Sequence, residues 1–216
     1  MLDDDHLMIT IGDVSGKGIP AALFMMIVKT LLATHAKQGL SPSKIFETTN
    51  GQLCKNNVMD MFVTCWLGIL TLSIGELSYV NAGHPFPVLL RKGHASFVQS
   101  KPNLMLAGMD GIPYEEHTIT LKKGDSLLIY TDGVTEATNS EKELFGDSRL
   151  LSAVESVPST TLTMPELIKN VRTSIDSFVA GAEQFDQLNS DVLETFVWGL
   201  GINMDRLFIK TMRIVP

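Results

Sequence analysis

One aspartate lies where a carboxylate and a backbone carbonyl could bind a cation together. Asp13 follows the strand-like run of residues 6–11 and lies within the glycine-rich turn GDVSGKG, residues 12–18. Glycines let backbone carbonyls and amides approach a ligand closely. The Asp13 carboxylate and the Val14 carbonyl form a good oxygen-ligand set for Mg²⁺ or Mn²⁺. The alternative from the residues alone is an ordinary strand–helix connection in which Asp13 caps the helix.

The same turn invites comparison with a nucleotide-binding P-loop, and its spacing argues against one. A P-loop has four residues between its first glycine and the Gly-Lys pair, followed by Ser or Thr. Here only three residues separate Gly12 from Gly16, and Gly18 follows Lys17. Lys17 could contact a substrate phosphate or could be a solvated turn lysine, and the sequence leaves both open.

Two further aspartates repeat the pattern of a carboxylate at the end of an element. Asp132 follows the apolar run of residues 126–130 and precedes Gly133. Asp186 follows the last predicted helix. Each has an ordinary alternative, an Asp-Gly turn for the first and a solvated loop acid for the second. Their interest is that each could deliver a carboxylate to one edge of one sheet.

Four motifs in order resemble the SpoIIE/RsbU-type phosphatases, bacterial relatives of the phosphatase 2C (PPM) class. They are IGDVSGKGIPAAL (residues 11–23), NAGHP (81–85), YTDGVTEA (130–137) and ELFG (143–146). The resemblance runs from about Leu2 to Asp186, which is most of the chain. One motif would be moderate evidence, and four in the order of the family make a strong case.

The resemblance implies a fold, a cofactor and a reaction. The fold is a sandwich of two antiparallel sheets flanked by helices, with two Mn²⁺ or Mg²⁺ ions at one end. Asp13 would bridge both ions, the Val14 carbonyl would bind one, and Asp132 and Asp186 would complete the shell of the other. A hydroxide activated by both metals would attack phosphoserine or phosphothreonine in line. Asp13 and Asp132 are therefore the expected catalytic residues.

The chain departs from the family pattern at both ends. The family has another acidic ligand in an upstream Gly-Asp-Phe/Tyr segment, and none precedes Leu2 here. The family's Asp-Asp-Ile/Met-Thr is replaced by residues 186–189, DQLN, which keep only the first aspartate. We therefore expect a phosphatase domain over residues 1–188 that lacks its N-terminal strands. Residues 189–216 form a C-terminal segment of uncertain assignment.

The histidines offer little for catalysis. His84 could be an acid catalyst, but nothing in the sequence pairs it with a nucleophile. We expect it to have a structural role in the Ala-Gly-His-Pro turn.

The elements that must position these residues follow in the order strand, two helices, several strands, helices. Helices are expected over about 19–37, 42–55, 148–156 and 164–180, the last capped by Thr163. Strands are expected over 6–11, 61–72, 77–81, 87–91, 95–98, 117–121 and 126–131. The last two are expected to pair as a hairpin across residues 122–125. Consecutive hairpin-linked strands indicate an α+β class.

Composition narrows the class of function. The net charge of −7 over 216 residues gives no basic footprint for nucleic acid. An acidic chain repels phosphorylated substrates unless cations lie at its site, so a phosphate enzyme of this charge should carry metal ions. The two cysteines, Cys54 and Cys65, are too few for a disulfide framework. With no signal peptide or membrane span evident, we expect a cytoplasmic protein.

Two hypotheses from different classes follow. The first is a metal-dependent phosphatase acting on a phosphorylated regulatory protein, such as an anti-sigma-factor antagonist, with a sensor domain upstream in a longer chain. The second is a catalytically silent module of the same fold that binds a regulatory partner, suggested by the missing upstream acid. A nucleotide-binding enzyme is a distant third. No nucleic-acid or membrane partner is expected, and homodimerisation is left open.

Overall fold

The chain folds into two antiparallel sheets and four helices. The computed structural model describes residues 1–55, 57, 60–157, 163–179 and 202–203. In chain order the elements are β1 His6–Val14, α1 Gly18–Ala36, α2 Pro42–Lys55, β2 Val63–Thr71, β3 Glu76–Ala82, β4 Val88–Arg91, β5 His94–Phe97, β6 His117–Thr120, β7 Ser126–Leu128, α3 Gly146–Glu155, α4 Met164–Val179 and β8 Ile202–Asn203. A 3₁₀ turn, Asp132–Val134, follows β7. The predicted α+β class and antiparallel sheets are confirmed.

Two compact units divide these elements. The first consists of Met1–His84 and Ser100–Leu121, and the second of Pro85–Gln99 and the described residues from Lys122 onward. The first contains the sheet β1-β2-β3-β6, and the second contains β5-β4-β7-β8. All strand pairs within both sheets are antiparallel.

The core of the first unit lies between α1, α2 and one face of its sheet. Phe24 and Val28 of α1 pack with Phe46 of α2 and with Val63 and Leu67 of β2. Among the described residues, α1 is also the one helix long and apolar enough to cross a membrane. One face of α1 lies in this cluster, whereas Ile19, Leu23, Met26 and Ile27 are exposed.

The second unit packs α3 and α4 against its own sheet. Leu128 and Tyr130 contact a cluster that includes Leu150 of α3 and Leu167 of α4. The predicted cap of α4 is confirmed: the Thr163 N–H and hydroxyl both donate to the Glu166 carboxylate, at 3.0 and 2.8 Å. The Glu166 N–H donates back to the Thr163 hydroxyl at 3.4 Å, which completes a capping box.

The predicted hairpin of the sixth and seventh strands is wrong. β6 pairs with β3 in the first sheet, whereas β7 pairs with β4 in the second. The connecting residues are held by Asp125, whose carboxylate accepts the Lys122 N–H at 2.8 Å and pairs with Arg91 of β4. These contacts attach residues 122–125 to β4, so the segment does not form a turn between two paired strands.

Candidate functional site

Asp13 lies at the second-last position of β1, directly across the ladder from Thr64 of β2. The Leu72 N–H donates to the Asp5 carbonyl and the Ser15 N–H donates to the Phe62 carbonyl, both at 2.8 Å. In an antiparallel ladder, hydrogen-bonded pairs alternate with non-hydrogen-bonded pairs. Asp5 and Ser15 each lie an even number of residues from Asp13, so Asp13 and Thr64 are also a hydrogen-bonded pair. Residues that are paired in this way have their side chains on the same face of the sheet.

The backbone of Val14 is oriented away from β2. Val14 and Val63 form the non-hydrogen-bonded pair between those two bonded pairs. Accordingly, the N–H and carbonyl of Val63 bond to Leu106 on its other side, at 3.0 and 2.9 Å. Because β1 is the edge strand of the described sheet, the Val14 carbonyl is directed to the open edge. It is a backbone oxygen that the ladder leaves available to a cation.

Glycine is required at two points of the segment 12–18, once within β1 and once in the turn after it. A Cβ at Gly12 would lie 3.0 Å from the Thr64 carbonyl oxygen and 3.3 Å from the Val63 side chain. Gly16 has a φ of 96°, in the left-handed region that favours glycine. The close contact keeps β1 against β2 up to Asp13, and the left-handed residue turns the chain into α1.

Lys17 lies at the N-cap of α1 and is exposed. The turn before it is fastened to the start of β2, because the Phe62 N–H donates to the Ser15 hydroxyl at 2.8 Å. A cation at the N-terminus of a helix adds to the positive end of the helix dipole. This end of the first unit would therefore attract a phosphoryl group.

Asp132 is the first residue of the 3₁₀ turn in the second unit, and it is exposed. Its backbone carbonyl accepts the Glu136 N–H at 2.8 Å and the Thr135 hydroxyl at 3.1 Å. The residues before it, Ile129 and Tyr130, are buried. β7 ends at Leu128, three residues before the end of the predicted strand, and the buried residues 129–131 lead from it to the exposed Asp132.

The structure describes part of the predicted metal-ligand set. Asp13 and Val14 lie in the first unit and Asp132 in the second, while Asp186 lies outside the described residues. Within the described ranges, no three His, Cys, Asp or Glu side chains are grouped closely enough to hold a metal ion. The donors that are described, carboxylates and an edge-directed carbonyl, fit a hard divalent cation such as Mg²⁺ or Mn²⁺.

His84 is buried in a turn that its own neighbours define. The Asn81 side-chain amide donates to the His84 carbonyl, and the His84 N–H donates to the Asn81 side-chain oxygen, both at 2.8 Å. These two hydrogen bonds close residues 81–84 into a turn at the end of β3. The His84 ring, in addition, places Nδ1 3.2 Å from the Thr64 hydroxyl.

Thr64 is a residue that sequence reasoning missed. It belongs to a strand with no motif of its own, and only the register reveals that it lies opposite Asp13 and beside His84.

Its neighbour Cys65 is fully buried, and burial raises the pKa of that thiol to about 12. A thiol with such a pKa stays protonated near neutral pH and is a poor nucleophile. Nucleophilic cysteine chemistry is therefore not expected at this end of the sheet.

The sequence matches the family Stage II sporulation protein E (SpoIIE) over residues 3–189. It is 30% identical to Protein IcfG of Synechocystis sp., over 87% of this chain and 33% of that protein. It is 28% identical to the phosphoserine phosphatase RsbU of Bacillus subtilis, over 80% of this chain and 51% of that protein. The chain thus spans about a third to a half of the length of these relatives.

Solved structures share the fold at low sequence identity. The PP2C phosphatase domain of SpoIIE from Bacillus subtilis superposes with a TM-score of 0.71 at 19% identity, over 84% of this chain and 52% of that chain. The catalytic domain of the serine/threonine phosphatase PstP, solved with two manganese ions, gives a TM-score of 0.53 at 16% identity, over 77% and 81%. These similarities establish a phosphatase 2C-like fold.

Proposed function

The chain belongs to the SpoIIE/RsbU type of phosphatase 2C-like domains, and on that premise we propose that it is a metal-dependent protein serine/threonine phosphatase. The observation that carries the proposal is the end of β1. There Asp13 and the edge-directed Val14 carbonyl offer oxygen ligands side by side within a family motif.

In this proposal Asp13, the Val14 carbonyl, Asp132 and Asp186 hold Mn²⁺ or Mg²⁺. When bound, the metal ions supply a water of lowered pKa and neutralise charge on the phosphoryl group. The presence of two manganese ions in the related PstP structure supports the choice of metal. Asp13 would also orient the attacking water, because its position is set by the ladder and by the contact at Gly12.

The phosphoryl group would bind near the start of α1. Lys17 is exposed there beside the positive end of the helix dipole. Since the chain as a whole is acidic, with a net charge of −7, this local positive field and the metal ions must offset a general repulsion of phosphate. Lys17 would contribute binding, and the carboxylates would contribute catalysis.

The substrate we propose is a small regulatory protein phosphorylated on serine or threonine, such as an anti-sigma-factor antagonist. Similarity to RsbU, a phosphoserine phosphatase, supports this class. So does the solved pair of RsbU and RsbW domains from Mycobacterium tuberculosis Rv1364c, which places a related domain in a chain with a second regulatory domain. A cytoplasmic location accords with the two free cysteines.

Hydrolysis of p-nitrophenyl phosphate and of a phosphoserine protein, each with and without Mn²⁺, tests the proposal. Asp132→Asn should lower kcat by about 100-fold or more, since loss of even an outer contact to a metal ligand costs about 10–100-fold. Asp176→Asn, at another exposed aspartate on α4, should leave turnover unchanged. Absence of Mn²⁺-dependent turnover, both in this chain and in a form extended at its N-terminus, would falsify the proposal.

Calorimetry separates the phosphatase from a silent binding module. A phosphatase should bind Mn²⁺, and Asp13→Asn should weaken that binding. A chain that binds no Mn²⁺ yet retains a regulatory partner would be the module instead.

A further inference from the structure

Three polar residues lie next to one another at the end of β1 and β2, from the proposed metal ligand to the buried histidine. Thr64 lies opposite Asp13 in a hydrogen-bonded pair, and such pairs place their Cβ atoms about 5 Å apart on one face of the sheet. On the side of β3, the Thr64 hydroxyl lies 3.2 Å from His84 Nδ1. Asp13, Thr64 and His84 therefore form a row across the end of three chain segments in the first unit.

The histidine in this row is held rigidly. It is buried, and the two 2.8 Å bonds between Asn81 and His84 fix its backbone. Asn81 is anchored in turn, because its backbone carbonyl accepts the Asn103 N–H at 3.0 Å. The backbone of the turn is thus fixed, and the buried ring lies where it meets the Thr64 hydroxyl.

We propose that His84, acting through Thr64, is a positioning residue for the Asp13 carboxylate. A threonine hydroxyl has one proton and two lone pairs, so its bond to His84 Nδ1 decides what it offers to Asp13 on the other side. A carboxylate that binds metal is oriented by such outer contacts, which commonly change metal affinity or activity by 10- to 100-fold. This role rests on the proposed phosphatase function and gives the NAGHP motif a part in it.

The experiment compares two threonines that make the same kind of contact. Thr64→Val removes the hydroxyl beside His84 Nδ1, and Thr49→Val removes a hydroxyl 2.9 Å from His35 Nδ1 between α1 and α2. Both variants should lower the Tm. Only Thr64→Val should weaken Mn²⁺ binding in calorimetry and lower kcat, each by about 10-fold or more. Thr64→Ser, which keeps the hydroxyl, should restore both.

A double-mutant cycle tests whether His84 acts through Thr64. His84→Ala should weaken Mn²⁺ binding in the wild-type background and have a much smaller effect in the Thr64→Val background, because the contact is already lost. Equal effects of His84→Ala in both backgrounds, or equal effects of the two Thr→Val variants on Mn²⁺ affinity, would overturn the proposal. If neither the wild-type chain nor a form extended at its N-terminus binds Mn²⁺ or has turnover, the phosphatase function is refuted instead.

Discussion

Around Asp13, single backbone atoms decide which groups can meet a ligand. The alternation of the β1–β2 ladder points the Val14 carbonyl to the open edge, while Asp13 and Thr64 bond to each other through their backbones. A shift of one residue in register would exchange these roles and move Asp13 to the opposite face. The register of β1 is therefore as important to the proposed site as the identity of Asp13.

The register of β1 with β2 depends on the absence of a side chain at Gly12, and a substitution there should lower stability. Gly12→Ala brings a Cβ within 3.0 Å of the Thr64 carbonyl oxygen, so we expect the free energy of unfolding to fall by about 1–3 kcal/mol. Gly51→Ala is the matched control, because Gly51 lies inside α2 and its Cβ would meet only Asp110 Oδ1 at 3.4 Å. Alanine there should be neutral or stabilise the helix by up to about 1 kcal/mol. Urea denaturation measures both, and a Gly12→Ala as stable as wild type would contradict the close contact.

At the scale of elements, the connection between β6 and β7 shows what a local pattern cannot predict. Residues 122–125 have the composition of a hairpin turn, yet the strands on either side join different sheets. Pairing depends on contacts distant in sequence, here the ion pair of Asp125 with Arg91, which no turn signal encodes.

The helices, in contrast, were predictable to within about two residues, because caps and periodicity are local signals. Motif order likewise indicated Asp13 and Asp132 as candidate ligands, while the contact of Thr64 with His84 needed the register.

The Asp125–Arg91 pair should make the second sheet sensitive to acid. Burial by itself raises the pKa of Asp125, but the Arg91 guanidinium and the Lys122 N–H outweigh it, so the pKa lies below its ordinary value. A depressed pKa contributes stability above the unfolded value of about 4, which is lost as the pH falls through the folded value. Asp125→Asn should therefore lower the free energy of unfolding by about 1.5–3 kcal/mol at pH 7. At a pH of about 2–3 the same substitution should lower it by much less.

Urea denaturation at several pH values checks this expectation. Glu47→Gln, which breaks the surface pair with Lys44 on α2, should cost less than about 1 kcal/mol at either pH. A deficit of Asp125→Asn that persists unchanged at the lower pH would show that the loss is not electrostatic.

The capping box of α4 is a second test at this scale. Thr163→Ala removes the hydroxyl that exchanges hydrogen bonds with Glu166, and we expect a loss of about 1 kcal/mol. Thr173→Ala, at an exposed position within the same helix, should be neutral or slightly stabilising. Thermal unfolding followed by circular dichroism compares the two, and equal Tm values for both variants would argue against the cap.

Over the whole molecule, charge and chemistry support one another. In the proposed phosphatase, cations would both neutralise the carboxylates at the ends of the elements and admit a phosphorylated substrate to an acidic chain. Metal binding and phosphatase activity should therefore rise and fall together.

The most direct test is turnover of a phosphoserine protein by the wild-type chain, Asp13→Asn and Asp4→Asn, before and after removal of metal with EDTA. Asp4 is an exposed aspartate just before β1 and controls for the loss of one negative charge. We expect EDTA to abolish wild-type turnover, added Mn²⁺ to restore it, and Asp13→Asn to lower kcat by about 100-fold or more while Asp4→Asn matches wild type. Turnover that survives both EDTA and Asp13→Asn would contradict the account.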